Sequence, residues 1–253
     1  MNDALYIAAT GMKAQAAQLD LIANNVANVN TPGYKRGSLR FGDLVSGEAL
    51  SAINPDASAS LAGVRSMGLS RSFAVGELRR NDDPLSLAIQ GDGFLEVQLP
   101  DGTAAFSRGG RLEVNSERLL ATADGLALRQ RIHVPADVRT IAIGEDGQVQ
   151  GRDEAGRSFT LGRIDVAMFS NPSGLTSIGD GLWRGSAASG DALVTPAGEA
   201  GAGRLKQGFV ENSNVQLIEE MIQLMVAQRA YEMNVKVMQT ADEISSMTNS
   251  LRK

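Results

Sequence analysis

The chain has 253 residues, 43% of them apolar, with 24 Lys and Arg against 29 Asp and Glu for a formal net charge of −5. That is enough for one large domain or two ordinary ones, and it argues against wholesale disorder and against nucleic acid as the main partner. The absence of cysteine and a single histidine, His133, remove disulfides, thiolate metal sites, cysteine nucleophiles and histidine-rich metal centres, so no cofactor is expected.

The first segment, residues 4–29, has helical periodicity. Leu5, Met12, Leu19 and Val26 recur every seven residues, and Ala8, Gln15 and Ile22 interleave with them. This is the alternating three-and-four spacing of a coiled-coil-like seam. Alanines crowd the same stretch and permit close helix approach. Asp3 stands where a secretory signal would be positively charged, and no apolar run in the chain nears the ~18 residues of a membrane span, so no membrane insertion is expected.

Asn24, Asn25, Asn28 and Asn30 follow, then Thr31, Pro32, Gly33 and Tyr34. Pro32 and Gly33 stop a helix, and their order suits a type II turn. A plain helix terminus leaves the four asparagines unexplained. Their amides can cap helix ends and cross-bond to neighbours.

Residues 37–80 are small, polar and weakly patterned, which suggests a linker or extended excursion. Leu61 to Arg80 alternates enough to hold a strand or two. Residues 81–210 contain short apolar runs separated by Asp92-Gly93, Asp101-Gly102, Asp124-Gly125 and Asp146-Gly147, dipeptides favoured in tight hairpin turns. An antiparallel β domain is expected there. The Asp-Gly spacing fits no calcium loop.

Residues 213–251 return to helix. Leu217, Met221, Leu224, Gln228, Tyr231, Val235 and Met238 step along one face at alternating spacings of four and three. Asn212, Ser213 and Asn214 offer caps, and Glu219 and Glu220 suit the first turns. Met221, Met225, Met233 and Met238 make the helix surface adaptable.

No catalytic signature is present: no nucleophile elbow, phosphate loop, dinucleotide fingerprint or metal-spaced cluster. Gly198 to Gly203 is glycine-rich but lacks the Lys-Ser/Thr that a phosphate loop needs. His133 reads as structural, and Trp183 as a core or interface anchor. The expected fold is therefore α+β. Discontinuous terminal helices (1–36 plus 211–253) form a coiled-coil-like assembly domain, 37–80 is a linker, and 81–210 is an inserted antiparallel β domain. Seam burial on each helix gains on the order of 10–20 kcal/mol gross. Ordering costs ~1–2 kcal/mol per residue, so one isolated helix pair is marginal and several packed side by side are not.

The stretch from Ile22 through Asn24, Asn25, Val26, Ala27, Asn28, Thr31, Pro32, Gly33 and Tyr34 to Lys35 resembles the signature of bacterial flagellar rod and hook proteins. Gln207 through Asn214 and on to Gln228, Arg229, Ala230, Tyr231 and Glu232 resembles that family's C-terminal motif. Ala88 through Val97, with Leu99 to Thr103, resembles the start of its β domain. Leu19 to Asn25 and Gln228 to Glu232 are most similar to the distal rod type. The segment after Arg36 is shorter than that type carries, which keeps the proximal rod type as the alternative; the hook protein is too large.

The resemblance implies a structural protein, not an enzyme. Such a subunit polymerises helically with itself into the drive shaft between motor and hook, in the periplasm-spanning basal body. Its implied partners are other rod and hook proteins, the rings around the rod, and a type III export apparatus that reads an uncleaved N-terminus. The implied assembly positions are Leu5, Met12, Leu19, Ile22 and Val26 with Leu217, Met221, Leu224, Tyr231, Val235 and Met238. The turn Asn24 to Tyr34 would set the chain's exit from the helix. A remote rival is a peptidoglycan-binding or -cleaving β domain, against which stand the lack of an acid pair and aromatics at only 4%.

Overall fold

The computed structural model describes residues 2–46 and 60–250, which form a terminal helix at each end and a β-rich middle. Helix α1 is Asn2–Ala27, and helix α2 is Leu217–Ser250. The chain divides into two compact units. One, the helix–hairpin unit, comprises Met1–Asn28, Gly37–Arg71 and Val215–Lys253; the other, the β unit, comprises Val29–Arg36 and Ser72–Asn214.

In the helix–hairpin unit α1 packs against α2. Two contacts, equally spaced along both helices, set an antiparallel register. Asn25 Nδ2 donates to Glu220 Oε2 at 3.2 Å. Further along, a Cβ on Gly11 would come within 3.0 Å of Asn234 Nδ2. Small residues thus permit the close approach that the alanine-rich sequence predicted. The last turn of α1 closes on Asn24, whose carbonyl accepts from both Asn28 N at 3.2 Å and Asn28 Nδ2 at 2.9 Å.

Where residues 37–80 suggested a linker, the described parts form an antiparallel hairpin of β1 (Gly37–Ser46) and β2 (Ser60–Arg71). Its register runs from Gly37 opposite Arg71 to Ser46 opposite Ser60, with two irregularities. Leu39 pairs with Leu69 and Val45 with Leu61, so the alternation read over Leu61 to Arg80 belongs to a strand, while polar pairs such as Ser38 with Ser70 keep the ladder's pattern weak. The hairpin holds by backbone bonding and by lying on α1. Gly63, at φ +101°, leaves room for Thr10, and Gly37 leaves room for Leu21. Residues 47–59 of the expected linker lie outside the described residues.

The β unit consists of short antiparallel ladders. One four-stranded sheet orders β16 (Arg204–Gln207), β4 (Ser86–Gln90), β7 (Gly109–Val114) and β8 (Leu120–Thr122). Another orders β13 (Thr176–Gly179), β14 (Leu182–Arg184), β6 (Ala104–Ser107) and β5 (Leu95–Gln98). Leu87, Ile89, Leu95, Val97, Leu112, Leu120, Val149 and Leu205 fill its main core. A second core is aromatic: Trp183 meets Phe73 edge-on at 4.8 Å, and Phe94 meets Phe169 at 5.7 Å. Trp183 is therefore a core anchor.

Three of the four Asp-Gly pairs close hairpins, but with three-residue loops rather than two. Gly102 N bonds Leu99 O, Gly125 N bonds Thr122 O and Gly147 N bonds Gly144 O, and only the glycine of each pair has positive φ. That is a type I turn followed by a left-handed residue. Asp92-Gly93 does otherwise. It carries the chain from β4 to β5, which lie in different sheets, and Gly93 passes so near Val166 that a Cβ there would clash with it. His133 is exposed, with its backbone bridged to Leu119.

Candidate assembly surface

Helix α2 is apolar on two opposite sides. Its covered side, toward α1, runs through Glu220, Leu224, Ala227, Ala230, Asn234, Val235, Met238 and Ala241, all buried or half-buried. Glu220 fits there because Asn25 supplies a donor; the same Asn25 side chain exchanges two 3.0 Å bonds with the backbone of Gly37. One buried amide thus ties the end of α1, the start of β1 and the first turns of α2.

The other side of α2 carries Leu217, Ile218, Met221, Ile222, Met225 and Val226 over its first three turns, between 46% and 75% exposed. Large exposed hydrophobic residues are the exception in the β unit, where among the described residues only Val75, Leu193 and Val194 qualify. A helix with two opposite apolar sides can cover only one of them against a single neighbouring helix, and an exposed apolar patch of this kind is characteristic of interaction surfaces.

The sequence-derived seam positions distribute across both sides. Ile22 is buried, while Leu5, Met12, Leu19, Val26, Leu224, Val235 and Met238 are half-buried. Leu217, Met221 and Tyr231 are exposed. In the first turns the stripe facing α1 passes through Glu220 and Ala227, so Leu217 and Met221 lie off it. A purely apolar template passes over a charged residue that a partner amide makes compatible with burial.

The asparagine-rich turn also resolves residue by residue. Asn25 is buried; Asn28, Gly33 and Tyr34 are half-buried; Asn24, Asn30, Thr31 and Pro32 are exposed. Tyr34 N bonds Thr31 O at 3.2 Å and Gly33 has φ +70°, as a type II turn requires. Asn214 is not a cap of α2. Its side chain accepts from Arg36 N at 2.7 Å and donates to Ser72 O and Ala74 O, bracing the β unit.

Sequence reasoning missed a buried charge cluster in the β unit. Glu211 Oε1 accepts from Lys35 Nζ at 2.6 Å and from Gly76 N at 2.8 Å, and its Oε2 accepts from Arg108 Nε at 3.0 Å. Lys35 Nζ also donates to Ala74 O, and Arg108 donates to Gly93 O and Gly91 O. All three side chains are at most 3% exposed. Burial alone would raise the Glu211 pKa, but Arg108 and Lys35 outweigh it and hold the carboxyl below its ordinary value. Lys35 shifts the opposite way from a simple ion pair: burial, then Arg108, pull it down against Glu211. Two cations share one anion, so the anion is the strongly stabilised member and Lys35 the more dispensable. Among the described residues no group of three acidic or histidine side chains could hold a metal, and no helix is long and apolar enough to cross a membrane.

Comparison with known proteins agrees with this layout. Models of the flagella basal body rod protein, the flagellar hook protein FlgE/F/G D1 domain and the flagellar basal body rod FlgEFG protein C-terminal match residues 5–35, 88–151 and 206–251. The charge cluster takes one residue from each matched segment. The flagellar basal-body rod protein FlgG of Borreliella burgdorferi is 38% identical, with all of both chains covered. The FlgG of Caulobacter vibrioides is 39% identical, covering 98% of this chain and 99% of its own. The FlgF of that organism is 31% identical, covering 97% and 96%.

Proposed function

The chain belongs to the flagellar basal-body rod protein family, FlgG type, and from that premise we propose that it polymerises through the outward face of α2. It is a structural subunit of the distal rod of the flagellum, serves motility and is not an enzyme. Copies of the chain stack helically, each covering the exposed residues Leu217, Ile218, Met221, Ile222, Met225 and Val226 of another. Tyr231, four residues from Ala227 and three from Asn234, borders the side toward α1 and packs at the edge of the helix pair. Ile22, Leu224, Val235 and Met238, with Leu5, Met12, Leu19 and Val26, hold α1 and α2 in coiled-coil-like register so that the outward face is presented correctly.

The observation that carries this reading is the exposed apolar run on α2, which no soluble monomer needs. At ~25 cal/mol per Å² of apolar area removed from water, covering six large side chains provides a substantial drive for association. Other rod and hook subunits, the rings around the rod and the type III export apparatus are the remaining partners on this reading, with delivery to the periplasm-spanning rod without a cleaved signal.

Ile218→Asp tests the proposal. The side chain is 75% exposed, so the free subunit should keep its fold while a desolvated carboxylate blocks the contact. Cells carrying the variant should lack rods and be non-motile. Normal basal bodies would refute the assignment of this face.

A further inference from the structure

We propose that Met221 and Met225 are a modification site, at which two-electron oxidation of the thioethers to sulfoxides switches off contact between copies of this chain. This rests on the assembly reading of the α2 face given above.

The chain has no cysteine, so the thioethers of its nine methionines are its only sulfur. Met221, Met225, Met233 and Met247 of α2, and Met67 of β2, are each more than half exposed, whereas Met12, Met168 and Met238 are half-buried. An oxidant therefore reaches the outward side of α2 before it reaches the interior sulfurs. The spacing of four residues places Met221 and Met225 side by side, flanked by Ile218 and Ile222. That neighbourhood offers no side-chain hydrogen-bond donor from its own four residues.

The chemistry balances with a peroxide as oxidant. The sulfur lone pair attacks one oxygen of hydrogen peroxide, the O–O bond breaks, an S–O bond forms and water leaves after proton transfer. Sulfur loses two electrons and the peroxide gains them. The product is a polar acceptor in place of an apolar, flexible side chain. Met221 sits among Leu217, Ile218, Leu224 and Met225, which supply no side-chain donor, while Met225 has Gln228 and Arg229 at its edge; covering the face would then desolvate two sulfoxide oxygens. Each such group weakens association by roughly ten-fold or more. Once the face is covered by another copy the sulfurs are shielded, so the free subunit is the sensitive form. A methionine sulfoxide reductase reverses the step.

The full chain, treated with dilute hydrogen peroxide and quenched, is mapped by peptide mass spectrometry and then followed by sedimentation velocity over a concentration series. Early sulfoxide at 221 and 225, with association weakened about a hundred-fold when both are oxidised, is expected. In Met221→Leu/Met225→Leu the ratio of treated to untreated association should lie near one, whatever the untreated level. Met67→Leu, altered outside the α2 face, should stay as peroxide-sensitive as the parent chain. Unchanged association with sulfoxide verified at both positions would overturn the proposal, as would undiminished sensitivity in the double-leucine chain. An untreated chain that stays monomeric at every concentration would overturn the assembly reading, and the proposal with it.

Discussion

Glu211→Gln should destabilise the β unit more than any single surface change. The substitution leaves Lys35 and Arg108, both almost wholly buried, facing each other with no anion between them. Removing one partner of a buried ion pair costs ~3–5 kcal/mol. For a domain of this size each kcal/mol moves the melting midpoint by ~2–4 °C, so a fall of about 6–20 °C is expected. Trp183 is the only tryptophan and sits in the aromatic core of the same unit, so its fluorescence reports this transition directly. Lys35→Met should cost clearly less, because Glu211 keeps Arg108 and the Gly76 N–H. The acid limb gives an independent check. Glu211 has a folded pKa below its ordinary value, so its contribution is complete above the ordinary carboxylate range and fades as pH falls through the lower folded value. Glu211→Gln should flatten that part of the pH–stability curve. A midpoint shift under about 2 °C, or Lys35→Met costing more than Glu211→Gln, would refute the one-anion, two-cation reasoning.

Asn25→Ala removes the reciprocal bonds to Gly37 and the bond to Glu220. It should cost about 1–3 kcal/mol and speed hydrogen exchange in the first turns of α2, where unchanged exchange would contradict the tie. Gly11→Leu should lower the helical melting midpoint measured by circular dichroism, because a Cβ there already crowds Asn234; a neutral result would mean the helices are not closely apposed at that point. Met225→Asp, 53% exposed, should leave the Trp183 midpoint within about 1 °C of the parent while abolishing association seen by sedimentation.

Periodicity made the two helices legible, since a three-and-four repeat of apolar residues survives whatever they pack against. Thr31, Pro32, Gly33 and Tyr34 gave the turn for the same reason: its geometry depends on local residue type. The β1–β2 hairpin was less visible, because small polar residues such as Ser38 and Ser70 pair through the backbone, and the hairpin meets α1 through glycines, Gly63 at Thr10 and Gly37 at Leu21. The Lys35, Arg108 and Glu211 cluster was invisible. Its members lie far apart in sequence, each looks like an ordinary surface charge, and only the tertiary fold brings them together. The outward face of α2 was half seen. Leu217, Met221, Leu224, Gln228, Tyr231, Val235 and Met238 read as one seam, whereas Leu224, Val235 and Met238 turn toward α1 with Glu220 and Ala227, Leu217 and Met221 lie exposed, and a second apolar stripe stays open.

The absence of native cysteine makes one accessibility measurement unusually clean. Ile218→Cys is labelled with a maleimide in the free subunit and, separately, in purified basal bodies, after it has been shown that the variant still assembles. The polymer account predicts rapid labelling of the free subunit, where the position is 75% exposed, and strong protection in the assembled rod. Equal labelling in the two states would show that the outward face of α2 stays in water, and would contradict assembly through it.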